Sequence, residues 1–464
     1  MKKIIALAVL SASTVFTLTS CQEVFSKTKF IKKVKTLAEG GRTKSDITQN
    51  KTKYEMPLML FGRDLAFVMG KKNIITISSI VNETPDLQTI AAEITGILNT
   101  TITKLTSSPI ANRYLDLYTG ATAENISGIN IRGTITTLDK ILSSSGTFNL
   151  DATFGGGRTK TDSSVSIDKN NIAKLLTLDL HAFLSQQGVT KPIALGYTSN
   201  TSILYKFSDG ASLSLYILGS GFSLGGNIST SNAPNQMLRM LTEFSMIQLL
   251  GRIYTVPYWH CFKTRNDDEV MFDYLAQEWP TLPISQPSPQ DNYKDSIIGK
   301  YADIARLFYG YYLADLAGKE GVVSYKKVKK KDKVEEVEVP GISFIRKKTI
   351  YLKRTVPYTN EEGDTVEKEE SIPVEVLVVN EENVKKFINI LKKFYHIEGD
   401  IYSFETYYKL LNNTPFCSYP YNDLLKDYLL TEIKKVKFEA HDGDVKDPII
   451  LNFGELRRKF RKIR

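Results

Sequence analysis

The chain has 464 residues, 42% of them hydrophobic and 24% charged, with a formal net charge of +9 and three cysteines. That length suits two or three domains, and the composition excludes a disordered or collagen-like chain. Such a positive balance points to nucleic acid in a cytosolic protein. The amino terminus argues for export, which turns the expectation to acidic polymers, lipopolysaccharide or an acidic protein and away from nucleic acid.

Lys2 and Lys3 precede an apolar stretch from Ile4 to Leu18, too short to span a bilayer comfortably and matched to a signal-peptide core. It ends in Leu18-Thr19-Ser20-Cys21, which resembles the bacterial lipobox. Small residues let the chain enter a peptidase site in extended form, and the Cys21 thiol is the atom that carries the lipid. Residues 1–20 are therefore expected to be a lipoprotein signal and Cys21 the lipidation site. Residue 22 is Gln rather than the Asp associated with inner-membrane retention, which favours the outer membrane, with the body facing the periplasm. A single acyl chain binds membranes only marginally, so a multiply acylated cysteine, palmitate-type chains included, suits stable anchoring. No later run reaches about 18 apolar residues, and a second membrane helix is not expected.

Residues 21–56, rich in Lys, Thr, Gly, Asn and Gln, read as a tether. A first folded region is expected over residues 57–262, a linker over 263–292 and a second α+β region over 293–464. Asn73 to Ile80 is a β-rich run ending at the turn signals Asn82 and Pro85. From Gln88 the period changes, with Ile90, Ile94, Ile97, Leu98 and Leu105 on one helical face and Thr84 or Asp86 placed to cap it. A further helix opens at Pro234 and Asn235, buries Met237, Met240, Leu241, Phe244 and Ile247, and stops at Gly251. A strand followed directly by an amphipathic helix suggests an α/β body.

Between those helices the period is two. Ile129, Ile131 and Ile135 alternate with Asn130, Arg132 and Thr134. Phe148, Leu150 and Phe154 alternate with Asn149, Asp151 and Thr153, and Leu176, Leu178 and Leu180 with Thr177, Asp179 and His181. Tyr205 and Phe207 lead to the turn Ser208-Asp209-Gly210, beyond which Leu213, Leu215 and Ile217 alternate with serine and tyrosine. Bilayer-crossing strands show this alternation over about 9–11 residues. A half-buried antiparallel sheet in a soluble domain shows it equally, and the pattern alone does not decide.

Residues 60–262 resemble the curli secretion channel family (CsgG). The resemblance rests on the order of parts: the lipobox Cys21, the strand and helix from Ile74 to Leu105, the segment Gly128 to Asp139, the Gly-rich alternating strands, and the stretch from Met237 to Arg252 followed by Val256 to Trp259. It implies a homo-oligomeric ring of outer-membrane lipoproteins. Each copy lends two β-hairpins, residues 130–182 and 200–230 here, to one shared transmembrane β-barrel, while the α/β body stays in the periplasm. Closure through neighbours removes strand edges that lipid leaves unsatisfied. Phe148, Leu150, Phe154, Tyr205, Phe207 and Leu215 would face lipid, and an exported polypeptide would be the cargo. The family's pore loop corresponds to Val81 to Asp86, with Asn82, Glu83 and Thr84 as the candidate lining; this stretch is short and holds no aromatic residue.

No catalytic constellation emerges, and an enzyme is not expected. Gly221 to Gly225 spells G-x-S-x-G, but a nucleophile elbow needs a strand-to-helix turn at the serine and the next helix starts too far away. His181, His260, His396 and His441 are scattered, so neither a metal nor another cofactor is expected. Cys261 and Cys417 are either one disulfide or two buried thiols. In the second region Ser296 to Leu316 reads as an amphipathic helix with Ile297, Tyr301, Ile304 and Phe308 on one face. Val323 to Val379 alternates like long hairpins, and 380–395 and 421–435 look helical. Arg457 to Arg464 holds six basic residues in eight, either a solvated tail or an element for an acidic envelope partner.

Overall fold

The computed structural model describes residues 52–69, 72–82, 88–107, 111–119, 127–138, 147–154, 161–168, 172–186, 189–206, 213–219, 222–228, 233–262, 267–320, 328–329, 336–337, 342–359, 365–418 and 423–439. The expected signal peptide, Cys21, the pore-loop residues Glu83 and Thr84, Phe207 and the basic run 457–464 lie outside them. The fold is mixed α+β, built on a mixed sheet.

The first helix, α1 (Glu55–Val68), begins just inside the stretch expected as a tether. It is buried from Leu58 to Val68 without interruption, Arg63 and Asp64 included. A helix enclosed on all sides has no polar stripe, so its sequence carries little helical period. After it come β1 (Asn73–Asn82), α2 (Gln88–Leu105), the single turn α3 (Ala111–Tyr114), β2 (Leu115–Thr119) and β3 (Gly128–Leu138). α2 buries Ile94, Ile97, Leu98, Ile102 and Leu105, the face expected from the sequence. The strands β4 (Thr147–Phe154), β5 (Thr161–Asp168), β6 (Ile172–Gln186), β7 (Val189–Lys206), β8 (Leu213–Gly219) and β9 (Phe222–Ile228) follow, and then α4 (Ala233–Ile253). α4 continues two residues past Gly251, the expected stop; the reversal comes at Thr255, whose φ is 51°.

From residue 267 the stretch expected as a linker is structured. It contains α5 (Glu269–Glu278) and a 3-10 turn, Trp279–Thr281, with Met271, Leu275 and Trp279 in the core. Its polar start misleads because Asp268 works as a cap, accepting from the backbone N–H of Val270 and Met271 at 3.1 and 3.4 Å. The same carboxylate takes a forked pair from Arg252 at 2.5 and 2.9 Å and the Tyr258 hydroxyl at 2.5 Å. Burial beside Asp268 pushes the Tyr258 phenol well up, so it stays a donor.

The second region holds α6 (Ile297–Glu320), the short pair β10 (Val328–Lys329) and β11 (Glu336–Val337), the long hairpin β12 (Ile345–Thr359) and β13 (Thr365–Val379), and the helices α7 (Glu381–Phe394), α8 (Phe404–Asn413) and α9 (Asp423–Lys435). Over Ile297 to Gly310, α6 is buried throughout rather than on the one face expected, with Lys300, Asp303 and Arg306 among the apolar residues. Asn380 caps α7 through the Asn383 N–H, and Ser403 caps α8 through the Thr406 N–H.

Both regions share one core because α1 touches both. A Cβ on Gly62 would sit 2.0 Å from the Leu105 carbonyl of α2, and one on Gly310 would sit 2.6 Å from the Phe67 ring, so both crossings need glycine. The last carbonyls of α1 accept from the second region: Val68 from the Lys294 ammonium at 3.3 Å and Met69 from the Arg306 guanidinium at 3.0 Å. Cations at a helix C-terminus are favourable there. Cys261, in a 3-10 turn Tyr258–Phe262, is bonded to Cys417 beyond α8, 156 residues away, so the two cysteines form the disulfide.

Asp268→Ala strands Arg252 and Tyr258 without their acceptor, and a loss of about 3–5 kcal/mol is expected, read from urea denaturation. A second expectation concerns pH. Burial lowers the His260 pKa from its ordinary 6.5, against a raising hydrogen bond to the Thr414 carbonyl at 3.0 Å. The unfolded chain then binds a proton that the fold resists, so stability is full above about pH 6.5 and falls as pH drops below it. The melting temperature should decline between pH 7 and pH 5, less steeply in His260→Gln.

Candidate functional site: the sheet and its hairpins

The main sheet runs in the order β2-β1-β3-β6-β7-β8-β9, parallel across β2, β1 and β3 and antiparallel from β3 onward. Register fixes what shares a face. Ile75 and Ile77 lie beside Ile129 and Ile131, Ile135 beside Leu178, and Leu178 beside Asn200. This face is covered. Its side chains are apolar across β1, β3 and β6 and polar on β7, where Thr198, Asn200 and Ser202 are buried. α4 answers with its own polar groups: the Asn200 amide donates to Ser245 Oγ at 2.9 Å and to Gln248 Oε1 at 2.8 Å. Glu243, on the same helix, takes Lys104 of α2 at 2.9 Å.

The opposite face is polar. Asn130 donates through Nδ2 to Thr76 at 3.0 Å and to Ser78 at 2.8 Å, and its oxygen accepts from Arg132 Nε at 3.3 Å. Arg132 also lies over the Phe183 ring at 5.3 Å. Thr134, Thr177, Asp179, Ser199 and Thr201 continue this face by register. For residues 129–135 and 176–182 the alternation is therefore that of a half-buried sheet within the body. The expected first membrane hairpin, 130–182, begins and ends in that body.

Beyond the level of Leu176, Ser202 and Ile217 the backbone pairing continues, to Lys206 on β7 and Leu213 on β8. β7 has 18 residues, roughly 60 Å of strand, whereas the 21 residues of α4 span roughly 31 Å. The strands outrun the helix that covers them. β4 and β5 form a separate two-stranded pair of eight residues each with unbroken register. Phe148, Leu150, Ala152 and Phe154 fall on one face with Val165 and Ile167, while Asn149, Asp151 and Thr153 fall on the other with Asp162, Ser164 and Ser166.

Three of the six expected lipid-facing positions thus share a face, Phe148, Leu150 and Phe154. Tyr205 and Leu215 do not. Tyr205 pairs with Ser214, and Leu215 with Leu204, so register puts them on opposite faces of the ribbon, and a lipid-facing band cannot hold both. Asn82 ends β1, beside Ile135 of β3. No described helix is long and apolar enough to cross a membrane, which says nothing of a β-barrel. Among the described residues no three metal-ligating side chains gather.

No protein-family model matches the chain, and no curated protein matches its sequence.

Asn130→Leu leaves the Thr76 and Ser78 hydroxyls without their amide in a buried position. It should cost about 1–3 kcal/mol in chemical denaturation. Thr177→Val, which breaks only the half-buried hydroxyl contact to Thr201 at 2.8 Å, should stay within roughly 1 kcal/mol of the parent.

Proposed function

We propose that the chain is an outer-membrane lipoprotein, anchored through Cys21 and facing the periplasm, whose copies form a ring around an export pore of the curli secretion channel type. Cargo, an exported polypeptide, passes through a shared lumen, and no bond is made or broken. The observation that carries this reading is the β4–β5 hairpin. One face holds Phe148, Leu150, Phe154, Val165 and Ile167 and no charge, and the other holds Asp151, Asp162 and Asp168. Eight paired residues extend roughly 27 Å along the strand, one residue short of the roughly 9–11 with which a tilted strand crosses the apolar band of an outer-membrane barrel. β4 lies beside β9 of the main sheet, while the two-stranded ribbon keeps edges that lipid cannot satisfy. Contribution to a barrel shared between copies removes those edges. The Cys261–Cys417 disulfide supports export, since such bonds persist in oxidising compartments.

A second reading is favoured by the burial of Ile129, Ile131, Ile135, Leu176, Leu178 and Leu180 in the body. If the remaining strands fold onto that body as well, the chain is a lipid-tethered periplasmic scaffold or regulator of cell-wall synthesis without a pore.

The test uses mature protein extracted in detergent, imaged as single particles and reconstituted in planar bilayers. Rings with a steady conductance that disappears on deleting residues 142–166 are expected. Monomers without conductance would leave the scaffold reading. Cys21→Ala should abolish incorporation of labelled palmitate and leave the chain unanchored.

A further inference from the structure

The second ribbon of the molecule, β12–β13, has a different chemistry from the first. Each strand has 15 residues paired without a bulge, roughly 50 Å of ribbon. Its base is fixed. Ile342, Phe344 and Ile345 are buried, the Asn380 N–H donates to the Phe344 carbonyl at 2.9 Å, and the Gln286 side chain occupies the outer edge of β13. That amide donates to the Leu377 carbonyl at 3.2 Å and accepts from the Val379 N–H at 3.4 Å, imitating a neighbouring strand. Beyond the base the ribbon leaves the body. Tyr351 is 69% exposed, Leu352 39% and Ile372 37%. Leu352 and Ile372 are opposite one another, and Ile350 and Val374 form the next pair on that face. Two strands without a covering layer are marginally stable at best, and this pair keeps apolar residues in water.

Charge says what would cover it. β12 carries Arg346, Lys347, Lys348, Lys353 and Arg354 and no acidic residue. β13 carries Glu367, Glu369, Glu370 and Glu375 against one basic residue, Lys368. Two pairs are satisfied within the ribbon, Lys347 with Glu375 at 2.5 Å and Lys353 with Glu369 at 3.1 Å. Exposed Lys348 on one edge, and Glu367 and Glu370 on the other, make no ion pair among the described residues. One edge is thus basic and the other acidic, so the ribbon is complementary to itself. Meeting of like edges, which a two-fold contact through one edge requires, sets equal charges against each other. A head-to-tail contact sets opposite charges together, and repeated head-to-tail contacts close into a ring when the rotation permits.

We infer that the β12–β13 arm is a clasp for a second copy of this chain, its basic β12 edge docking on the acidic β13 edge of the next subunit. The inference rests on the ring reading above and names the surface that holds the ring. Side chains carry the contact rather than an extended ladder. Because Gln286 takes the outward groups of Leu377 and Val379, the outward positions of β13 are the odd-numbered ones, Pro373 among them, and proline has no N–H to give a neighbouring strand. Pro357 interrupts β12 at an odd-numbered position in the same register. A lipid occupant fits poorly, since both faces of the ribbon carry lysine and glutamate, and each basic residue at a bilayer midplane costs about 2–4 kcal/mol.

The experiment uses full mature protein in detergent and two charge-reversed variants. The first, Lys347→Glu with Lys348→Glu and Lys353→Glu, makes both strands acidic. The second, Glu369→Lys with Glu370→Lys and Glu375→Lys, makes both basic. Mass is read by native mass spectrometry and light scattering, with circular dichroism and melting as folding controls. Each variant alone should shift from the ring mass to the monomer mass while keeping its fold. Mixing the two should restore assemblies containing both chains, and the chain carrying all six substitutions should assemble by itself, because its ribbon is again basic on one edge and acidic on the other. Folding failure of the single variants is covered by that six-fold chain, whose internal pairs are restored with reversed sign. Variants that keep the parent mass would overturn the clasp and leave the ring reading standing. Loss of assembly that neither mixing nor the six-fold chain repairs would also overturn it. A parent chain that is monomeric at every concentration would overturn both readings together.

Discussion

The burial of α1 on every side is the constraint from which the architecture follows. Its Gly62 lets it lie against the end of α2, and its Phe67 lies against Gly310 of α6, so the two halves of the chain meet on one helix. Asp64 accepts from the Cys417 N–H at 2.7 Å, and Phe61 meets Phe416 edge-on with ring centroids 5.7 Å apart. The disulfide therefore closes beside the helix that already joins the halves. A helix in this position has no solvent to satisfy its carbonyls, which is why Lys294 and Arg306 reach its C-terminal end.

Buried charge is concentrated where separate elements must keep their relative placement. Asp268 holds Arg252, Tyr258 and the start of α5 together, and Arg252 reaches on to the Tyr197 carbonyl of β7 at 3.0 Å. One carboxylate thereby relates sheet, long helix and the return of the chain. Asp303 does similar work at the start of α6, accepting from the Tyr293 hydroxyl at 2.8 Å and from Lys294 at 2.8 Å. Desolvation makes such groups poor sources of net stability, and their value lies in excluding other arrangements of the same apolar surfaces. On the sheet, the pairing of Asn200 with Ser245 and Gln248 fixes the register of α4 on β7 in the same way.

How much was legible from the residues follows the physics of burial. α2 and α7 were readable because one side of each meets solvent, leaving a helical period. α1 and the Ile297 to Gly310 part of α6 are enclosed, and enclosure erases that period. α5 was hidden by a run of charged residues whose Asp268 is a cap and a buried acceptor rather than a solvated group. Alternation over residues 129–217 was plain, but the same alternation serves a sheet under a helix and a ribbon beyond it. Burial of Leu176, Leu178, Leu180, Ser202 and Ile217 puts those positions in the covered sheet, which alternation alone does not reveal. The opposite faces of Tyr205 and Leu215 were out of reach for a related reason. A hairpin's register depends on its turn, and one residue of slip moves every side chain across.

The two two-stranded ribbons show how composition assigns different environments to one backbone geometry. Both are antiparallel and unbulged. β4–β5 gathers its charge on one face and leaves the other uncharged, so an apolar environment on that side buries no charge. β12–β13 puts charge on both faces and sorts it by strand, basic on β12 and acidic on β13. Lipid cannot relieve that arrangement, whereas a surface of matching, opposite pattern can, and every copy of the chain carries one.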